Sequence, residues 1–225
     1  MILAVDTTTR RGSIALLDAG EPIAELRFES EASHSQRVMP GIAFLMQSLE
    51  LRAEDIDGYA VALGPGSFTG LRVGIATVQG LALARGTPCF GASTLDILAH
   101  RVRGAAETLV TAMDAHRGEL YVGVYGRDAE AREPPRVISP DQLRTAWVSS
   151  GGAPALFGDG VERHRAALRK SYPEALFPER SLFLAGTLGR MAAPILAEGG
   201  GCGPTDLAPV YVRAPTISRA AKPAS

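Results

Sequence analysis

Cysteine is scarce: 225 residues contain two, Cys89 and Cys202. Two thiols do not make a disulfide framework. Cys89 falls in an expected buried strand and Cys202 in a glycine-rich loop, so both are expected as reduced thiols of a cytoplasmic protein. Histidine is scarce too, with only His34, His100, His116 and His164. No pair is spaced His-x-x-x-His, and there is no His-Glu-x-x-His. Those spacings bring two metal ligands to one helix face, so a metal centre of that kind is excluded. A basic excess is also missing: 23 Lys and Arg face 24 Asp and Glu, and the pI is near 6.4. Proteins that grip nucleic acid unaided carry such an excess. Any nucleic-acid role must therefore borrow charge from a partner. No stretch approaches the ~18 consecutive apolar residues of a membrane span. Asp6 breaks the first apolar run, which removes a secretory signal pattern. The expectation is a soluble chain with no membrane contact.

What is present is a packed globular composition, 46% hydrophobic and 21% charged. The length allows one large domain or two small ones. The centre of the chain is Gly64-Pro65-Gly66-Ser67-Phe68-Thr69-Gly70-Leu71-Arg72-Val73-Gly74. A short apolar strand over 59–63 precedes it. An uncharged helix over 73–84 follows, with Ser67 or Thr69 as its cap and Gly86 and Pro88 as its stop. Strand, glycine turn and helix N-terminus form a geometry that holds phosphates. No Lys-Ser/Thr follows the glycines, however, and Gly64-x-Gly66-x-x-x-Gly70 is one residue too long for the dinucleotide fingerprint. Pro65 also removes a donor. Ser67 is not in Gly-x-Ser-x-Gly, which counts against a hydrolase elbow. A tight strand-to-helix turn is the simplest reading. The helix after it is apolar all round, which predicts burial on all sides. Ala76, Gly80 and Ala84 form a stripe with almost no side chain, suited to close approach by another backbone.

Strands are predicted over 2–6, 13–17 and 23–28, with short turns that make them antiparallel neighbours. A helix follows over 35–51. Val38, Ile42, Leu45 and Leu49 make one apolar stripe on it, and Met39, Ala43 and Met46 make a second. Either the helix is well buried on both stripes, or one stripe packs inward and the other meets a partner, with the methionines as adaptable packing; the pattern favours neither. A strand over 87–91 and a helix over 94–102 complete the first half. Near residue 104 the pattern restarts. A strand over 109–114 ends in Asp114 as 2–6 ends in Asp6, and a second strand over 120–125 follows. Two halves that each begin strand–Asp–turn–strand point to duplication. The second half continues with a short strand over 136–139, a helix over 140–147, a strand over 155–157, and helices over 161–169 and 182–197. The Pro/Ala/Ser-rich stretch 214–225 reads as a tail.

The run Gly64–Gly74 resembles the signature of the bacterial TsaB (YeaZ) family. Three further stretches agree with it in order. Ile2-Leu3-Ala4-Val5-Asp6-Thr7-Thr8 is similar to the family's opening strand and Asp-Thr turn. Met113-Asp114-Ala115-His116-Arg117-Gly118-Glu119-Leu120-Tyr121 is similar to its mid-chain segment, with His116 in place of the usual Arg. Pro209-Val210-Tyr211-Val212-Arg213 is similar to its C-terminal motif.

The resemblance implies an α/β chain with a duplicated actin/Hsp70/hexokinase-like fold and two mixed-sheet subdomains, here 1–103 and 104–213. It implies a non-catalytic subunit in the making of threonylcarbamoyladenosine in tRNA, partnered by the catalytic paralogue TsaD, with the ATPase TsaE joining. TsaD binds its metal through a His-x-x-x-His pair that the helix over 73–84 here lacks. ATP and metal are therefore expected on the partner subunits, tRNA contact only through the complex, and a homodimer in isolation is a further expectation. The partner face is expected on the two apolar helices, at Val38, Met39, Ile42, Leu45, Met46, Leu49, Arg72, Val73, Ala76, Thr77, Gly80 and Ala84. Asp6, Thr7, Thr8 and Gly12 sit where actin-like kinases hold Mg²⁺ and phosphates, and mark a relic nucleotide site. An ordinary local cap explains the same residues. The alternatives are an ATP-dependent actin-like kinase and, ranked lowest, a glycoprotease-like metallopeptidase.

Overall fold

The computed structural model describes residues 1–29, 34–147 and 152–212. Arg213 of the last motif and the expected tail lie outside them. Strands β1 (Ile2–Asp6), β2 (Arg11–Asp18), β3 (Glu21–Glu29), β4 (Gly58–Ala62) and β5 (Cys89–Ala92) form one sheet, ordered β3-β2-β1-β4-β5. β1 runs antiparallel to β2 and parallel to β4. Strands β6 (Thr108–Asp114), β7 (Leu120–Gly126), β8 (Ala131–Ile138) and β9 (Ala155–Phe157) form a second sheet, ordered β8-β7-β6-β9. β6 is antiparallel to β7 and parallel to β9, so the first sheet's arrangement is repeated. The fifth strand of the second half has shrunk to one parallel bridge between Ala155 and Leu176.

Helices α1 (Val38–Ser48), α2 (Phe68–Leu83) and α3 (Thr94–Arg101) belong to the first half of the sequence. Helices α4 (Asp159–Ser171) and α5 (Ala185–Ala197) belong to the second. The counterpart of α1 is a tight 3-10 stretch, Pro140–Ala146, where a helix was expected. α1 itself is shorter than the expected 35–51, because His34–Gln36 winds as a 3-10 turn before it.

Side chains alternate across the first sheet, as the two-residue period of a strand requires. Leu3, Val5, Ile14, Leu16, Tyr59 and Val61 face α1 and α2. Ala4, Ala15, Leu17, Ala60 and Ala62 face α3 and α5. Both faces are covered, so these strands read as continuous apolar runs. The alanines let α5 lie close to the sheet. A β-carbon at Gly189 of α5 would stand 2.1 Å from Leu17. On the far side of the second sheet, Val110, Leu120 and Val122 pack with Val161, Leu168 and Trp147. The layers run α1/α2, first sheet, α3/α5, second sheet, α4.

A linear cut after residue 103 does not separate these packing units. The strands divide near there, but the helices cross. α3 packs on β6 and β7, and α5 packs across the strands of the first sheet. Ala185 N–H donates to Ser13 Oγ at 3.0 Å, and Arg190 pairs with Glu21 at 2.8 Å. The chain beyond 184 thus returns to the first half, drawn there by the uncovered alanine face.

Candidate functional site

The signature loop joins β4 to α2. Ser67 caps α2, its Oγ accepting from Gly70 N–H at 3.2 Å. The loop lies directly on the turn after β1. Ser67 N–H donates to Thr8 C=O at 2.7 Å, and Thr7 Oγ1 donates to Gly70 C=O at 2.8 Å. A β-carbon at Gly66 would stand 2.3 Å from Thr8 O, and one at Gly74 2.4 Å from Thr7 Oγ1. Close approach of the Thr8 backbone therefore explains Gly66, and room for the buried Thr7 hydroxyl explains Gly74. Pro65 follows a cis peptide bond. The C-terminal motif closes the other side: Val210 N–H donates to Leu63 C=O at 2.7 Å. The first, second and fourth motifs are thus one packed unit.

Asp6 is fully buried, and its Oδ1 accepts from Thr8 N–H at 3.0 Å and Thr8 Oγ1 at 2.7 Å. Thr7 and Thr8 are buried with it, and a β-carbon at Gly12 would collide with the Phe28 ring. The four residues expected to mark a relic nucleotide site are thus inside the protein and turned to holding its own turns. Next to them lies a cleft of about 410 Å³ between the halves. Thr9, Arg10, Arg11 and Glu29 line one wall, and Asp159, Glu162 and Arg163 the other. Arg11 Nη1 crosses it to Glu162 Oε2 at 2.7 Å. Arg163 reaches Asp114 at the end of β6. Burial pushes the half-buried Asp159 carboxyl up to about 6, against the pull of hydrogen bonds from nearby backbone N–H groups. The third motif forms the β6–β7 turn on this side, with His116 and Arg117 at positive φ. His100, His116 and His164 sit on three separate elements, and no metal-ligating cluster of three or more occurs among the described residues.

Helices α1 and α2 touch each other on the same side of the first sheet. Val38, Ile42 and Leu45 are buried against the first sheet. That removes them from the expected partner face: the stripe they form is the core stripe. Leu49, expected on the same stripe, falls at the helix end and is exposed. Met39, 48% exposed, lies on the outer side, while Met46 is half-buried and packs against the edge of the core. Phe44, 59% exposed, was not anticipated. Its signal was in the sequence, since α1 carries no charged residue from Val38 to Ser48.

Helix α2 is not buried on all sides. Leu71, Ile75, Val78 and Ala82 face the core, while Arg72, Ala76, Gly80 and Ala84 are exposed and Val73 and Thr77 are half-buried. A β-carbon at Gly80 would meet nothing within 4 Å. Leu83, 58% exposed, extends the apolar stripe. At the other end, Arg72 lies over the Phe68 ring at 3.9 Å, and Phe68 lies 6.3 Å from the exposed Tyr211 ring. An uncharged surface of small and large apolar groups, with a cation–aromatic cluster at one end, is therefore open to solvent.

A family model described as "TsaD: tRNA N6-adenosine threonylcarbamoyltransferase" matches residues 29–146. The chain is 33% identical over 226 residues to the Escherichia coli (strain K12) tRNA threonylcarbamoyladenosine biosynthesis protein TsaB, with 94% of each covered. It is similar to a crystal structure of a Pseudomonas aeruginosa protein described as having similarity to peptidase YEAZ. The TM-score is 0.78 at 30% identity, over 94% of this chain and 99% of that one. An Arthrobacter polyphosphate/ATP-glucomannokinase shares the fold at a TM-score of 0.51 and 11% identity, over 88% and 98%. The architecture is thus the duplicated actin/Hsp70/hexokinase-like fold, and the chain belongs to the TsaB (YeaZ) family of tRNA threonylcarbamoyladenosine biosynthesis proteins.

Proposed function

We propose that this chain is a non-catalytic subunit of the assembly that makes threonylcarbamoyladenosine in tRNA. It docks the catalytic paralogue TsaD through the outer faces of α1 and α2, and TsaE joins the pair. The observation that carries the reading is the exposed, uncharged face at Met39, Phe44, Ala76, Gly80 and Leu83. A contiguous apolar surface marks an interaction site. The Ala76/Gly80/Ala84 stripe admits a second helix at short range. A paralogue with its own two outer helices would complete a four-helix contact about a near-twofold axis. Without TsaD, a second copy of this chain fits the same face.

ATP, metal and transfer chemistry belong to the partners in this reading, and tRNA is met through the complex. The chain's near-zero net charge supports the last point. The kinase alternative is weakened by the buried Asp6–Thr8 turn and the ion pair across the cleft. Co-purification of the chain with its cell's TsaD tests the proposal. Gly80→Arg should abolish the complex while the isolated chain stays folded. A folded Gly80→Arg chain that retains TsaD with unchanged affinity would place docking elsewhere.

A further inference from the structure

The two cysteines lie far apart in sequence and face each other in the fold. Cys89 opens β5, and Cys202 lies on the segment that returns from α5. They form an isolated antiparallel bridge outside the two sheets' own ladders. Cys89 N–H donates to Cys202 C=O at 2.9 Å, and Cys202 N–H donates to Cys89 C=O at 2.8 Å. Residues that exchange both bonds have α-carbons about 5.5 Å apart. Disulfides span α-carbon separations of roughly 4.4–6.8 Å, which such a pair meets, and need β-carbons roughly 3.5–4.5 Å apart, so the wider β-carbon spacing of a hydrogen-bonded pair, up to about 5.5 Å, has to close by about 1 Å as the bond forms. Bridge partners also send their side chains to one face. Both thiols accordingly meet the same apolar cluster between the first sheet and α2. Cys89 is buried, and Cys202 is half-exposed to solvent.

From this juxtaposition we infer that Cys89 and Cys202 form a dithiol site that a small disulfide oxidant converts to an intramolecular disulfide. The inference stands apart from the docking proposal. The order of events follows from access. Cys202 loses its proton, and its sulfur attacks one sulfur of the oxidant, releasing one small thiol and leaving a mixed disulfide. Cys89 then loses its proton and attacks the Cys202 sulfur, releasing the second small thiol. The two protein thiols are oxidised, and the one oxidant disulfide is reduced to two thiols. Burial pushes the Cys89 thiol up to about 11 and raises the Cys202 thiol as well. Since the thiolate is the attacking species, the reaction is slow at neutral pH and quickens as pH rises. The product fastens β5 to the segment that flanks α2, where Gln79 donates to Leu207 C=O at 3.1 Å.

The test incubates the full-length native chain with oxidised glutathione at pH 8.5 and follows it by intact mass. The expected product is a monomer lighter by two hydrogens, with both thiols lost on denaturing titration and recovered with dithiothreitol. Its melting temperature should rise by roughly 5 °C or more. Cys89→Ser should stop at a stable glutathione adduct on Cys202. Three results would overturn the inference: both thiols surviving prolonged incubation, wild-type chain halting at the adduct, or closure only after denaturant is added. These results rest on the wild-type chain, so a variant that fails to fold does not blunt them.

Discussion

Helices α2 and α4 hold equivalent places in the two halves. Each follows a parallel strand through a glycine turn, and each packs one face on its sheet. Their outer faces differ. α4 shows Glu162, Arg163, Arg169 and Lys170 to solvent, and Arg165 and Arg169 lie near the Phe177 ring. α2 shows Ala76, Gly80 and Leu83. Charges on α4 keep its outer face hydrated. The absence of charge on α2 leaves a face whose burial by a partner would be favourable, at about 25 cal/mol per Å² of apolar surface removed from water. The same contrast separates α1, which is uncharged throughout, from its 3-10 counterpart Pro140–Ala146, which carries Asp141 and Arg144. One half has kept a solvent surface where the other has an apolar one.

The largest expected effect distinguishes the two stripes of α1. Val38→Glu puts an unpaired charge into the core and should cost about 4 kcal/mol or more in urea unfolding, if the chain folds at all. Met39→Glu, one position along, should leave that stability within about 0.5 kcal/mol and act only on the complex. If both variants unfold alike, the stripe assignment is wrong.

Next comes the comparison of α2 with α4. Gly80→Arg should lower affinity for TsaD at least ~100-fold, as loss of a central contact does. It should slightly stabilise the isolated chain, since glycine costs an exposed helix about 1 kcal/mol. Ala167→Arg, at an exposed position of α4, should change neither. Equal losses from the two arginines would erase the distinction between the halves.

A smaller effect concerns the cleft. The isolated chain should give little or no calorimetric heat with ATP. Micromolar affinity abolished by Asp6→Ala would restore the kinase reading.

The smallest effect is a pH dependence at Asp159. Its carboxyl is raised in the folded state, so its share of stability is whole below about pH 4 and is lost as pH rises through about 6. Asp159→Asn should therefore gain on the order of 1 kcal/mol relative to wild type at pH 8 and nothing at pH 4. Part of that gain is offset by losing a negative charge at the start of α4. A gain that is the same at both pH values would exclude titration of Asp159 as its source.

Local features of this fold were legible before the structure. β1 and β9 fall where short apolar runs put them, at Ile2–Asp6 and Ala155–Phe157. Of the two candidate caps of α2, Ser67 is the one that caps it, accepting from Gly70 N–H at 3.2 Å. What failed was what depends on distant partners. β8 begins at Ala131, earlier than expected, because Pro134-Pro135 hides an edge strand whose missing donors cost nothing on the solvent side. Periodicity found both stripes of α1 but could not say which faced the sheet; that depends on where β1 and β2 lie. The signature glycines were legible as a tight strand-to-helix turn, but not what they make room for, the Thr8 backbone at Gly66 and the Thr7 hydroxyl at Gly74. Nothing local could show that Cys202 returns to Cys89.

The crossing of α3 and α5 bears on how the chain emerges from the ribosome. The first sheet is complete in sequence at Ala92, but the helix that covers its alanine face begins at Ala185. At roughly 5–20 residues per second, synthesis of the intervening stretch lasts on the order of 10 s. For most of that interval the alanine face of the nascent sheet has only α3 beside it, so an apolar surface stays exposed until α5 arrives.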